Sequence, residues 1–173
     1  ECKKLEVILM KNVFQAMEER CSTRGYTEEK LTQEELDAVL RAGLQAPTAA
    51  NRQEIHFTVL DGNKPILGEI EEEMRKGRPG NPAHNFYYEA PTLIILSGNE
   101  SFYWSPLDAG IAVENMALAA EGLGLGNVIL GCIKDAMYGE KKDYFGKALR
   151  FPEGYAYQVA LAVGHKAITK EPH

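Results

Sequence analysis

The sequence predicts an α/β or α+β fold built as one three-layer unit. Three observations carry this. Helical and strand-like stretches interleave along the chain. One of the strand-like runs, Pro91–Ser97, is apolar almost throughout, as a central strand buried on both faces should be. No repeat, low-complexity tract or linker divides the 173 residues, so a single domain over 1–173 is expected.

Each element has its own signal. Asn12 caps a short amphipathic helix running to Arg20, with Val13, Phe14 and Met17 on one face. Cys21–Lys30 is polar, broken by Gly25, and reads as a loop. Thr32 with Glu35 makes a capping box for a second helix carrying Leu36, Val39, Leu40 and Leu44, which Pro47 stops. His56–Leu60 alternates as a strand, and Asp61-Gly62-Asn63 turns the chain into a charged helix over Lys64–Lys76. Arg78–Tyr88, rich in proline and glycine, reads as an irregular surface excursion. Pro106–Leu123 is the strongest helix. Its charges are only Asp108, Glu114 and Glu121, so it is expected to be buried nearly all round. Gly122–Gly126 closes it as a C-cap and tight turn. Asn127–Ile133 reads as a strand, Lys141–Leu149 as a helix and Tyr155–Val163 as a last strand.

Composition narrows the function. Nineteen Lys and Arg stand against 25 Asp and Glu, a net charge of −6, which lacks the basic footprint of nucleic-acid binding. No apolar run approaches the roughly 20 residues that span a bilayer. Leu5–Met10 is short, carries Glu6 and lacks a cleavage site, so no leader is expected. Three distant cysteines, Cys2, Cys21 and Cys132, fit a reducing compartment, and a cytoplasmic location is expected. His56, His84, His165 and His173 have no ligand spacing, so no metal is expected.

Two stretches carry candidate chemistry. Arg20, Ser22 and Arg24 stand at alternate positions and would share one side of an extended segment, an anion cradle; the alternative is a solvated loop with two surface arginines. Pro47, Thr48, Asn51 and Gln53 form a loop of small and amide side chains suited to a heterocycle edge, or an ordinary connection between helix and strand. Phe102, Tyr103 and Trp104 are either an aromatic ligand cover or a core anchor. The Gly122–Gly126 run follows a helix and precedes a strand, the reverse of the dinucleotide fingerprint, so it is structural.

In order, Arg20-Cys21-Ser22-Thr23-Arg24, Ala46-Pro47-Thr48-Ala49-Ala50-Asn51-Arg52-Gln53, Ala90-Pro91, the Asp108-led helix and Gly124-Leu125-Gly126 running on to Gly131 resemble the motifs of the nitroreductase family of FMN-dependent oxidoreductases. The family's Gln-Pro-Trp is Gln53-Glu54-Ile55 here. The resemblance implies an α+β, three-layer α/β/α fold with a mostly antiparallel sheet, in a domain-intertwined homodimer with FMN at the interface. It implies NAD(P)H as electron donor, a small oxidant such as a nitroaromatic or quinone, and a ping-pong cycle with no catalytic side chain. Arg20 and Ser22 would hold the phosphate and ribityl end of FMN, Cys21 between them would be among the cofactor-binding residues, and Arg24 would face the pyrimidine side. Pro47, Thr48, Asn51 and Gln53 would come from the partner subunit. Backbone N–H groups at Leu130 and Gly131 would meet N5 and O4, and Lys166 or Lys170 would supply the tail cation to the phosphate. A flavin-binding or sensing protein, and a relative that dehalogenates or fragments flavin, are the alternatives.

Overall fold

The computed structural model describes residues 10–76 and 84–172. Cys2, residues 5–9 of the Leu5–Met10 stretch, residues 78–83 of the irregular excursion and His173 lie outside them. Six helices and four strands are described: α1 (Val13–Glu19), α2 (Gln33–Leu44), β1 (Ile55–Asp61), α3 (Pro65–Lys76), β2 (Thr92–Asn99), α4 (Ser105–Gly122), β3 (Gly126–Leu130), α5 (Lys134–Met137), α6 (Lys142–Ala148) and β4 (Tyr155–Gly164). The strands form one sheet in the order β1-β2-β4-β3, every neighbouring pair antiparallel. The fold is therefore α+β.

Local chemistry explains the helix starts. Asn12 accepts from Phe14 and Gln15 N–H, and Gln15 reaches back to the Asn12 N–H; Thr32 and Glu35 do the same for α2. β2 is buried from Thr92 through Gly98, because helices cover both faces of the sheet. On one face α2 and α4 pack Val39, Met116 and Ala120 against Ile94, Leu96 and Leu161. On the other, α3, α5 and α6 pack Ile70, Met137 and Phe145 against Leu93, Ile95 and Ala160. Gly43 lets α2 approach α4: a Cβ there would meet Met116 Sδ at 2.7 Å. Gly124 adopts φ +79°, and the Leu125 N–H returns to the Ala120 carbonyl, so the turn after α4 is the C-cap expected.

Three expectations are corrected. α4 is not buried all round: Leu107 is 53% exposed, and Ile111, Glu114 and Leu118 are half-buried along the same stripe. Their spacing of four, three and four is that of a helix seam; the segment around α1 meets its C-terminal end, with Arg20 3.6 Å from Glu114 and the Lys11 N–H on the Gly122 carbonyl, while Leu107 at the other end stays exposed. β3 stops at Leu130, and Gly131–Ile133 lead into the short helix α5, which carries too few residues to show a period. Cys21–Lys30 is not simply a loop. Ser22 makes a parallel bridge to Asn127 and Tyr26 an antiparallel bridge to Lys166, so part of the segment runs extended at the sheet margin. Among the described residues no helix is long and apolar enough to cross a membrane.

Candidate functional site

The basic stretch is extended, and its alternation is real. Cys21 and Thr23 are buried at 4% and 2% exposure, while Arg20, Ser22 and Arg24 remain accessible. The Thr23 N–H donates to the Asn127 carbonyl at 2.8 Å, which pins the stretch to the outer edge of β3. Arg20 Nε lies 3.6 Å from Glu114 on the outer stripe of α4. Arg24 pairs with neither Glu28 nor Glu29. Its Nε donates to the Tyr88 hydroxyl at 3.3 Å, and its guanidinium lies 5.6 Å from the Tyr88 ring centroid. Tyr88 and Glu89 both adopt positive φ, so a strained turn presents that ring.

The C-terminal segment folds back onto the same stretch. The Ala167 N–H donates to the Gly25 carbonyl at 3.1 Å, and Cys21 Sγ contacts the Lys170 carbonyl at 3.7 Å. Lys170 thus belongs to the basic cluster by position, with its side chain exposed. Lys166 is engaged elsewhere, 2.9 Å from each carboxylate oxygen of the buried Glu121. Lys11 reaches the same carboxylate at 2.6 Å and Glu19 at 2.6 Å. Burial works to lower the Lys11 pKa, but the hydrogen bonds it donates to Glu121 and Glu19 outweigh it and raise the group above its ordinary 10.5. With a raised folded-state pKa, what Lys11 contributes to stability is full below pH 10.5 and fades only at higher pH.

The Pro47–Gln53 loop is a third piece. Ala50, Asn51 and Gln53 have φ of 52°, 51° and 53°, left-handed values that cost non-glycine residues about 1–2 kcal/mol each. Hydrogen bonds within the loop and to α4 hold this shape, among them Ala49 N–H to the buried Asp108 carboxylate at 2.9 Å and Gln53 N–H to Thr48 Oγ1 at 3.0 Å. The side chains of Asn51 and Gln53 are exposed. Nearby, Tyr103 is 82% exposed and Arg52 lies 4.3 Å from the Phe102 ring centroid, so this aromatic group is a surface feature and not a core anchor.

Some of these pieces come together within one chain and some do not. The basic stretch and the tail do. Leu130, the last residue of β3, lies three residues from Asn127, about 10 Å of strand, and Gly131 follows it, so Ser22 and Gly131 mark the two ends of one edge. Gly131 is exposed, and a Cβ there would meet nothing within 4 Å. The Pro47–Gln53 loop stands apart. Its anchor Asp108 and the Arg20 partner Glu114 are six residues apart on α4, about 9 Å of rise and about 120° of turn. The edge therefore offers cations and a hydroxyl at one end and open backbone at the other, the donor set of an elongated, singly ended anion. Sequence reasoning missed Tyr88 and the anchoring roles of Asp108 and Glu121. For the last two a signal existed: lone carboxylates in an otherwise apolar helix.

Residues 17–165 match the nitroreductase family. The NAD(P)H FMN reductase of Bacillus subtilis (strain 168) is 29% identical over 178 residues, covering 91% of this chain and 67% of the relative. The chain thus spans about two thirds of that relative's length. A nitroreductase with bound FMN from Desulfitobacterium hafniense DCB-2 superposes with a TM-score of 0.83 at 32% identity, over 95% of this chain and 94% of that one. A second, with bound FMN from Bacteroides fragilis NCTC 9343, gives 0.84 at 27% identity, over 94% of each chain.

Proposed function

The chain belongs to the nitroreductase family, and on that premise we propose that it is an FMN-dependent oxidoreductase moving electrons from NAD(P)H to a small oxidant such as a nitroaromatic or quinone. The edge between Ser22 and Gly131 carries this reading, because its polarity suits a mononucleotide with a phosphate at one end and a neutral ring at the other. Bound FMN would supply the redox chemistry, taking hydride from NAD(P)H and passing electrons to the oxidant. The residues supply position and charge. Arg20 and Ser22 bind the phosphate and ribityl end beside the buried Cys21, with Lys170 as tail cation. Arg24, held by Tyr88, places positive charge beside the pyrimidine side. The Gly131 N–H faces the reacting edge, while Leu130, in register with Ala160, turns its own N–H toward β4 and places its neighbour. Lys166 acts through Glu121 as a structural cation.

The outer face of α4 and α1 supports a homodimer. Phe14 is 78% exposed, Met17 and Leu107 are more than half exposed, and Glu114 beside Arg20 lies on the same stripe. Pairing these faces brings the partner's Pro47–Gln53 loop, which one chain keeps apart from its own Arg20, to complete the site. An interface of the obligate kind buries about 2,000 Å² or more. Leu107→Asp is expected to convert a dimer to a monomer at micromolar concentration in light scattering, with FMN lost alongside. A monomer in the unsubstituted protein would contradict the shared site.

Arg24 tests the electrostatic role. Reduction adds negative charge near the pyrimidine side, so Arg24→Gln should lower the midpoint potential by several tens of millivolts, about 30 mV corresponding to roughly 1.4 kcal/mol. Binding of oxidised FMN should fall less than in Arg20→Ala. A redox titration that moves by only a few millivolts with FMN still bound removes that role. The function itself is tested by steady-state kinetics with NAD(P)H and a quinone. A ping-pong cycle gives parallel double-reciprocal lines; intersecting lines would require both substrates bound together.

A further inference from the structure

Tyr157 is buried at 2% exposure, and its hydroxyl donates to the Leu130 carbonyl at 2.6 Å. A break in strand register puts it there. Leu96 pairs with Val159 but Ser97 pairs with Tyr157, so Gln158 is the extra residue of a β-bulge in β4. A bulge re-aims the side chains before it. Tyr157 accordingly shares a face with Ala160 and Ala162 and packs in the same cluster as Leu130, Ile133 and Met137. Its own carbonyl is fixed in turn by the Tyr138 hydroxyl at 2.7 Å.

The Leu130 carbonyl and the Gly131 N–H belong to one planar trans peptide and point in opposite directions. Holding the carbonyl against β4 therefore turns the Gly131 N–H away from the core, where Gly131 is exposed and has open space beside it. The accepted hydrogen bond also polarises the peptide and strengthens its N–H as a donor. We propose that Tyr157 is a positioning residue for the cofactor, locking the Leu130–Gly131 peptide so that the Gly131 N–H is presented to the ring edge of FMN. This rests on the FMN reading above. Burial pushes the Tyr157 phenol well above its ordinary pKa, so the hydroxyl keeps its proton at neutral pH and donates.

The test is Tyr157→Phe in the full chain, read first without FMN by NMR. The Gly131 amide nitrogen is expected to move upfield, and FMN affinity is expected to fall about tenfold, about 1.4 kcal/mol. Tyr138→Phe removes a hydrogen bond in the same pocket without touching the Leu130 carbonyl, and is expected to leave both readouts in place. An unmoved Gly131 resonance, or equal effects from the two variants, would overturn the assignment. Should Tyr157→Phe fail to fold, the unsubstituted protein decides. A slowly exchanging Tyr157 hydroxyl proton with a downfield Leu130 carbonyl carbon supports the lock, and a rapidly exchanging one overturns it. Failure of the unsubstituted chain to bind FMN would overturn the functional reading while leaving the Gly131 result separately legible.

Discussion

Glu121→Leu is expected to destabilise the fold by about 3 kcal/mol, read as a lower denaturant midpoint at unchanged slope. The Glu121 carboxylate is fully buried near the end of α4 and takes hydrogen bonds from Lys11 and Lys166. Those lysines enter from the two chain segments that flank the basic stretch, one before α1 and one after β4. Removing the carboxylate leaves Lys166 facing Lys11 without the anion they share, and Lys11 keeps only Glu19. Breaking a buried pair in this way costs about 3–5 kcal/mol. The low end applies, because both ammonium groups keep 27–28% of their side-chain exposure and water can partly compensate. Glu121→Gln retains a hydrogen-bond acceptor and is expected to lose less. Equal stability of Glu121→Leu and the unsubstituted protein would show that the three charges do not act as a unit.

Arg20→Ala is expected to weaken FMN binding by roughly 1.5–3 kcal/mol, the loss for a hydrogen bond to a charged group. On the affinity scale that is about ten- to 150-fold. Arg20 is half-buried on the accessible side of the extended stretch, and its present partner, Glu114, is a partly exposed carboxylate at 3.6 Å. An exposed pair of that kind contributes at most about 1 kcal/mol, so exchanging Glu114 for a phosphate dianion favours the ligand. Titration of the flavin-free protein measures the change. Unchanged affinity would remove Arg20 from the site while leaving the edge geometry untouched.

Much of this was legible in the residues because local rules governed it. Asn12, and Thr32 with Glu35, reported helix starts through their own side-chain chemistry. The alternation at Arg20, Ser22 and Arg24 foretold a common face, and the sheet margin supplied the extended backbone that makes it one. What stayed hidden depends on tertiary context. The apolar surround of α4 signals burial but cannot say whether this chain or another covers Leu107 and Ile111. The end of β3 was obscured because Gly131–Ile133 continue an apolar pattern after the chain has left the sheet. The bulge at Gln158 leaves no local mark: it exists only in the register against β2, and it alone brings Tyr157 to Leu130. Three left-handed residues between Ala50 and Gln53 were equally invisible, since none is glycine and the strain is held from a distance by Asp108.

The central claim is that the edge from Ser22 to Gly131 holds FMN and that NAD(P)H reduces it there. Anaerobic titration of the purified full chain with FMN, followed by NAD(P)H, tests this most directly. The expected result is one FMN retained per chain after dialysis, bleaching of the oxidised flavin bands by NADH or NADPH, and return of the colour on adding a quinone. A chain that retains no flavin after saturation, or retains it with bands that neither NADH nor NADPH bleaches, would contradict the account.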